Sequence, residues 1–151
     1  MARVAIAKGE FKKAADLLIE CDKFAPGDPG LGEKLISELD QAGGGSEAER
    51  LFQQLAQFYV DILAKYPESS LHHNNYAWLC VCANRRTEHM RRHSELANSL
   101  CPNTSSYLDT LASICFATGE KEKAIELCRR CIELDPTKSH YRDQLKKFSA
   151  N

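Results

Sequence analysis

The stretch GEKEKAIELCRRCIELDP, residues 119–136, decides how this chain folds. Ala124, Leu127, Cys128, Cys131 and Ile132 recur at three- and four-residue intervals, which draws one apolar stripe along a helix. Pro136 has no amide hydrogen and restricts Asp135 before it, so the helix stops there. Gly119 follows a second helical run, Tyr107 to Thr118, at the point where a left-handed cap is needed. The stretch therefore reads as a glycine turn, an amphipathic helix and a proline stop.

The same reading recurs. Gly9, Glu10, Lys13, Ala14, Leu17, Cys21 and Pro26 match Gly119, Glu120, Lys123, Ala124, Leu127, Cys131 and Pro136 without a gap. Pro102 and Pro136 are 34 residues apart, and each follows a leucine two positions earlier, Leu100 and Leu134. Pro67 lies 35 residues before Pro102, and Pro26 lies 41 before Pro67. Ser46 and Glu49 read as a capping box ahead of the stripe Phe52, Leu55, Ala56, Tyr59, Ile62, Leu63 and Tyr66, which Pro67 ends. Asp28 and Pro29 read as cap and first-turn residue of a helix through Ala42, which Gly43 to Gly45 terminate.

A period near 34 residues, a helix–turn–helix unit and a tail proline resemble the tetratricopeptide repeat. Residues 105–138 fit best, with Leu108, Leu111, Ala112, Cys115, Gly119, Ala124, Cys128, Cys131 and Pro136 at that family's packing positions. Residues 71–104 depart from it. Trp78 stands where a small residue is usual, Arg85 replaces the turn glycine, and Met90 replaces the close-contact alanine. The resemblance implies an all-α fold, an α-solenoid of antiparallel hairpins in a single domain over 1–151. The expected hairpins cover about 2–26, 28–67, 70–102 and 104–136, and a capping helix about 138–149. That last helix is amphipathic through Tyr141, Leu145 and Phe148, as a solenoid's terminal cap requires. The first helix has barely two turns before Gly9, so the N-terminal end reads as unprotected. The chain then resembles a piece of a longer array, or a domain completed by another molecule.

The composition fits a folded, helical chain. Of 151 residues, 43% are apolar and 27% charged, which argues against disorder. The formal net charge of −1 supplies no field for nucleic acid, so nucleic acid is not the expected partner. No apolar run approaches the roughly 20 residues that span a bilayer. Residues 1–8 are too short, and too soon followed by charges, to read as a secretory signal. Seven cysteines, an odd number without an export signal, suit free thiols in a reducing cytoplasm.

In the family, the first helix of each pair lines a groove. Helical geometry then assigns Ala77, Trp78 and Val81 to the packing stripe of 71–84, and His72, Asn75, Tyr76, Leu79 and Cys82 to the groove. The corresponding stripe in 105–118 is Ser106, Asp109, Thr110, Ser113 and Phe116. In 29–42 it is Glu33, Lys34, Ser37 and Gln41. The expected binding residues are His72, Asn75, Tyr76, Leu79, Asp109, Thr110, Ser113 and Lys34, and the expected partner is a protein or peptide. Relatives that clamp a terminal carboxylate use lysine, arginine and asparagine. Here only Lys34 and Asn75 offer that chemistry, and Asp109 opposes it.

Two other features compete. Arg85, Arg86, Arg91 and Arg92 form a basic segment with His89 and His93, suited to contact with an anion or RNA, or with an acidic peptide, but wrapped around a turn. Self-association through the incomplete N-terminal hairpin, giving a homo-oligomer, is the other. Metal and cofactor are not expected. Cys80 and Cys82 point to different helix faces, Cys128 and Cys131 sit at packing positions, as Cys21 does by its match to Cys131, and His89 and His93 lack further ligands at zinc spacing. No phosphate-cradling loop, nucleophile elbow or His-Glu-x-x-His motif is present, so a noncatalytic role is expected.

Overall fold

The computed structural model describes residues 1–22, 29–85 and 89–150, with side chains for all of these except 29–34. Among the described residues it holds only α-helices. They are α1 (Ala2–Ala7), α2 (Phe11–Asp22), α3 (Pro29–Gln41), α4 (Gly45–Lys65), α5 (Ser70–Cys82), α6 (Met90–Leu100), α7 (Ser105–Ala117), α8 (Lys121–Leu134) and α9 (Ser139–Ala150). They fall into two compact units. The first comprises Met1–Pro67 and Trp78–Arg86, the second Glu68–Ala77 and Thr87–Asn151.

In the first unit α1 packs on α2 and α3 on α4, and α2 also meets α3 and α4. Its buried side chains include Ala14, Ala15, Leu18, Ile36, Leu39, Leu51, Phe52, Leu55 and Tyr59. In the second unit α7 packs on α6 and α8, and α9 on α8. Leu111, Ala112, Cys115, Ala124, Cys128 and Phe148 form one apolar cluster there. The Phe116 and Phe148 rings stack at 4.5 Å, which holds α9 in place.

Four helix ends close in one way. At each a residue adopts positive φ: Gly9 at +73°, Gly43 at +95°, Asn84 at +51° and Gly119 at +88°. The amide that follows reaches back five residues to a carbonyl. Glu10 bonds Ala5, Gly44 bonds Leu39, Arg85 bonds Cys80 and Glu120 bonds Cys115, at 2.8–2.9 Å. This six-to-one bond is the Schellman closure that satisfies the helix's last carbonyls. The residue that accepts it is buried in all four cases.

This closure corrects the register of residues 71–104. The left-handed position is Asn84, and Arg85 follows it as Glu120 follows Gly119. Asparagine tolerates that conformation better than other non-glycine residues. With Asn84 on Gly119, Ala77 falls on Ala112 and Cys80 on Cys115, all four at 0–1% exposure. The small residue is thus Ala77 and not Trp78. In the following helix Met90, Ser94 and Ala97 take the buried places of Ala124, Cys128 and Cys131. One extra position between Asn84 and Met90 absorbs the difference.

Three further expectations change. The N-cap of α4 is Gly44, without a side-chain cap bond, so the capping box of Ser46 and Glu49 does not form. A Cβ on Gly44 would come within 2.8 Å of the Phe11 ring, so glycine is required there by close approach. Cys21 is exposed, unlike buried Cys131, so its match does not carry over to packing. Trp78 and Val81 are only half-buried, whereas His73, Asn74, Tyr76, Leu79 and Cys80 join Ala77 in burial. Helix α5 is covered on more than one face, which a single-stripe reading does not anticipate. Pro26 and Asp28 lie outside the described residues.

Candidate partner-binding face

On α7, Ser106, Asp109, Thr110 and Ser113 follow one another at three- and four-residue spacing, so they share a side of the helix. Ser106 is exposed and Ser113 half-buried, whereas Asp109 and Thr110 are 7% and 2% exposed. The Thr110 hydroxyl donates to the Ser106 carbonyl, which removes it from the surface inventory. The Asp109 carboxylate is received by α9. Gln144 Nε2 donates to Asp109 Oδ1 at 2.7 Å, and His140 Nε2 lies 3.2 Å from Oδ2. Gln144 Nε2 also lies 3.0 Å from His140 Nε2 and 3.5 Å from Ser113 Oγ. Burial pushes the Asp109 carboxyl above the usual carboxylate range, and His140 and Lys138 oppose that push.

Sequence reasoning assigned α9 only a capping role and so missed His140 and Gln144. Their spacing of four residues on the polar side of a predicted helix was the available signal. Tyr141 and Phe148 do supply the packing expected of that helix, both at 2% exposure.

On α5, His72 and Asn75 are half-buried. His72 Nδ1 pairs with Ser69 Oγ at 2.7 Å. Tyr76 is buried, edge-on to the His93 ring at 4.9 Å. Leu79 is 1% exposed. Tyr76, Leu79, Thr110 and most of Asp109 are thus packed interior beneath a face, and the side chain of Lys34 lies outside those described.

Two arginines of the basic segment are held in ion pairs. Arg85 donates bidentately to Asp40, at 2.8 and 3.1 Å, and to Glu49 at 2.8 Å. It ties the end of α5 to α3 and α4 within the first unit. Arg91 grips Glu120 and Glu95, with Nη2 to Glu120 Oε2 at 2.9 Å. That pairing holds the Glu120 carboxyl down to about 2. Arg92 is exposed, and Arg86 lies outside the described residues. No cluster of three or more metal-ligating side chains occurs among the described residues. Cys128 and Cys131 are buried, their thiols pushed up to about 11 and about 12 by desolvation, which makes them poor nucleophiles.

Helix pairs closed by one repeated turn define a helical-repeat fold. Residues 105–138 match the tetratricopeptide repeat family model. No curated protein matches the chain. Among solved structures, the thermophilic tetratricopeptide-repeat protein TTC0263 of Thermus thermophilus is 16% identical, with a TM-score of 0.66 over 99% of this chain and 78% of that one. MamA 41-end from Desulfovibrio magneticus RS-1 is 15% identical, with a TM-score of 0.61 over 99% and 80%. The first such domain of Spaghetti (RPAP3), bound to the HSP90 peptide SRMEEVD, is 17% identical, with a TM-score of 0.58 over 81% and 90%. The fold is therefore the all-α solenoid seen in tetratricopeptide-repeat proteins, and residues 105–138 match that family's model. Among the described residues, no helix is long and apolar enough to cross a membrane.

Proposed function

We propose that the chain is a noncatalytic interaction scaffold that binds a peptide or helix of a partner protein, or of a longer parent chain. The binding face is that of α7 and α9, extended by His72 and Asn75 of α5. The observation that carries this reading is the polar track of Ser106, Asp109, Ser113, His140 and Gln144 on two helices. Side chains anchored on packed helices lose little freedom on binding, which suits recognition. The peptide held by the RPAP3 domain supports a peptide as ligand. Its acidic sequence would meet Asp109 unfavourably here, so the partner's chemistry differs. The free thiols suit a reducing, cytoplasmic setting.

The test is affinity capture from the source cell with the wild-type chain and with Ser106→Arg/Gln144→Ala. Both changes lie at exposed or half-buried positions, so the helical circular dichroism stays unchanged. Loss of a partner that the wild type retains supports the face. Equal capture by both moves the interface elsewhere.

Self-association through the N-terminal hairpin has one observation in its favour. Met1 and Val4 are 94% and 58% exposed, beside a cavity of about 280 Å³ lined also by Ala5, Lys8, Lys13 and Leu17. Sedimentation from low to high concentration decides it, since a strict monomer ends that reading. The anion reading through Arg85, Arg86, Arg91 and Arg92 is weakened, because Arg85 and Arg91 already hold carboxylates.

A further inference from the structure

Asp109 presents an unusual combination. Its carboxylate is buried, yet the group nearest Oδ2 is an imidazole whose side chain is 58% exposed. A buried carboxylate needs a compensating positive charge. Lys138 also acts on Asp109, but its Nζ is shared, 3.7 Å from Asp135 and over the Tyr141 ring.

The donors and acceptors around His140 Nε2 make it a poor permanent partner. Gln144 Nε2 is donor-only, and His140 Nε2 lies between it and the carboxylate. If Nε2 carries the proton it serves Asp109 but faces the N–H of Gln144. If it does not, it accepts from Gln144 but sets its lone pair against Oδ2. Neither neutral tautomer satisfies both neighbours. The ring is mostly solvated, so swinging outward costs little and uncovers Oδ2.

We propose that this position receives an arginine guanidinium from a bound peptide or helix, which displaces His140 and pairs with Asp109. This deepens the scaffold reading by naming the chemistry of the partner. Arginine fits better than lysine because the carboxylate offers two oxygens and the Ser113 hydroxyl lies close by, 3.5 Å from the Gln144 Nε2 that bonds Oδ1. A planar fork with five N–H groups serves several such acceptors at once, and a point charge does not. Asp109 also opposes a clamp for a ligand carboxylate, so the same residue selects against an acidic ligand and for a basic one. The groups facing Asp109 are His140, Gln144 and Lys138, with neutral Cys128 and Cys131 behind it.

The test uses the full chain and two acetylated, amidated peptides, Gly-Gly-Arg-Gly-Gly and the same peptide with citrulline, its neutral isostere. Amide chemical shifts are followed by NMR at neutral pH and low salt. The arginine peptide is expected to saturate shifts at Asp109, Ser113 and Gln144 with a Kd on the order of 1 mM, and citrulline to bind about tenfold more weakly or not at all. Asp109→Asn keeps the acceptor for Gln144 and the side-chain shape, and is expected to abolish the difference between the peptides. His140→Ala is expected to bind arginine at least as well as the wild type, because it uncovers Oδ2. Equal response to the two peptides, arginine shifts confined to other acidic surfaces, or an Asp109→Asn chain that folds and still prefers arginine would each overturn the proposal. Partner capture that depends on Ser106 and Gln144 while the arginine peptide fails would sink this inference and leave the scaffold standing. The converse would sink the scaffold reading alone.

Discussion

His73 and His93 meet nitrogen to nitrogen, Nδ1 to Nδ1 at 2.7 Å, with their rings stacked at 4.9 Å. His73 is 5% exposed, and the Tyr76 ring lies against His93. Such a pair holds at most one proton between the two nitrogens, so a second charge is opposed. Desolvation first, then His73, His89 and Arg92, lower His93 to about 4.

That depression sets an acid limit on stability. The unfolded chain protonates this histidine near its ordinary value of about 6.5, whereas the folded chain does so near 4. Between those values the unfolded state binds more protons, so stability falls as pH falls. The loss is on the order of 1–2 kcal/mol after solvent screening. Urea unfolding at pH 7, 6, 5 and 4 measures it, and His93→Gln should flatten the slope above pH 4.5. Glu120, held down to about 2 by Arg91, adds a separate loss below its unfolded value of 4.5.

Arg85 should matter to stability and little to anion binding. Arg85→Ala removes three side-chain bonds to Asp40 and Glu49 and should destabilise the chain by about 1–2 kcal/mol. Arg85→Lys should recover less than half, because the fork is lost. Chemical denaturation of the two variants checks both figures, and heparin binding should be unaffected by either.

The shared turn predicts a contrast between residues that look alike. Asn84→Gly should leave stability unchanged or raise it by up to about 1 kcal/mol, since φ is +51° there. Gly119→Ala should cost about 1–2 kcal/mol from the left-handed backbone alone, with no atom near its Cβ. Gly44→Ala should cost about 1–3 kcal/mol for a different reason, its clash with Phe11. Thermal melts of the three variants separate backbone strain from overpacking.

Thiol labelling should sort the cysteines by burial. Cys21 and Cys101 are exposed and should react with iodoacetamide quickly. Cys80, Cys115, Cys128 and Cys131 are buried and should react only on unfolding, with Cys82 between. Peptide mass spectrometry over a time course reads the order. Fast modification of Cys128 or Cys131 would contradict the packing of α8 against α7 and α9.

The repeat was legible because its signals are local. Gly9, Gly43 and Gly119 mark left-handed positions, Pro67, Pro102 and Pro136 stop helices, and apolar spacing of three and four draws each stripe. These act within one or two turns of chain, so sequence alone determined an all-α fold of paired helices. Its limits were equally physical. Asparagine can replace glycine at a left-handed site, so the turn at Asn84 was read one residue late and Trp78 was given the place of Ala77. Burial on α5 depends on how many neighbours cover it, and no helical stripe records that. Arg85 meets Asp40 across 45 residues, and Asp109 meets His140 across 31. Such pairings are set by helix packing and not by spacing along the chain. The tertiary structure therefore decided that Arg85 and Arg91 are spent on ion pairs, and that a carboxylate expected at the surface lies buried beneath an exposed imidazole.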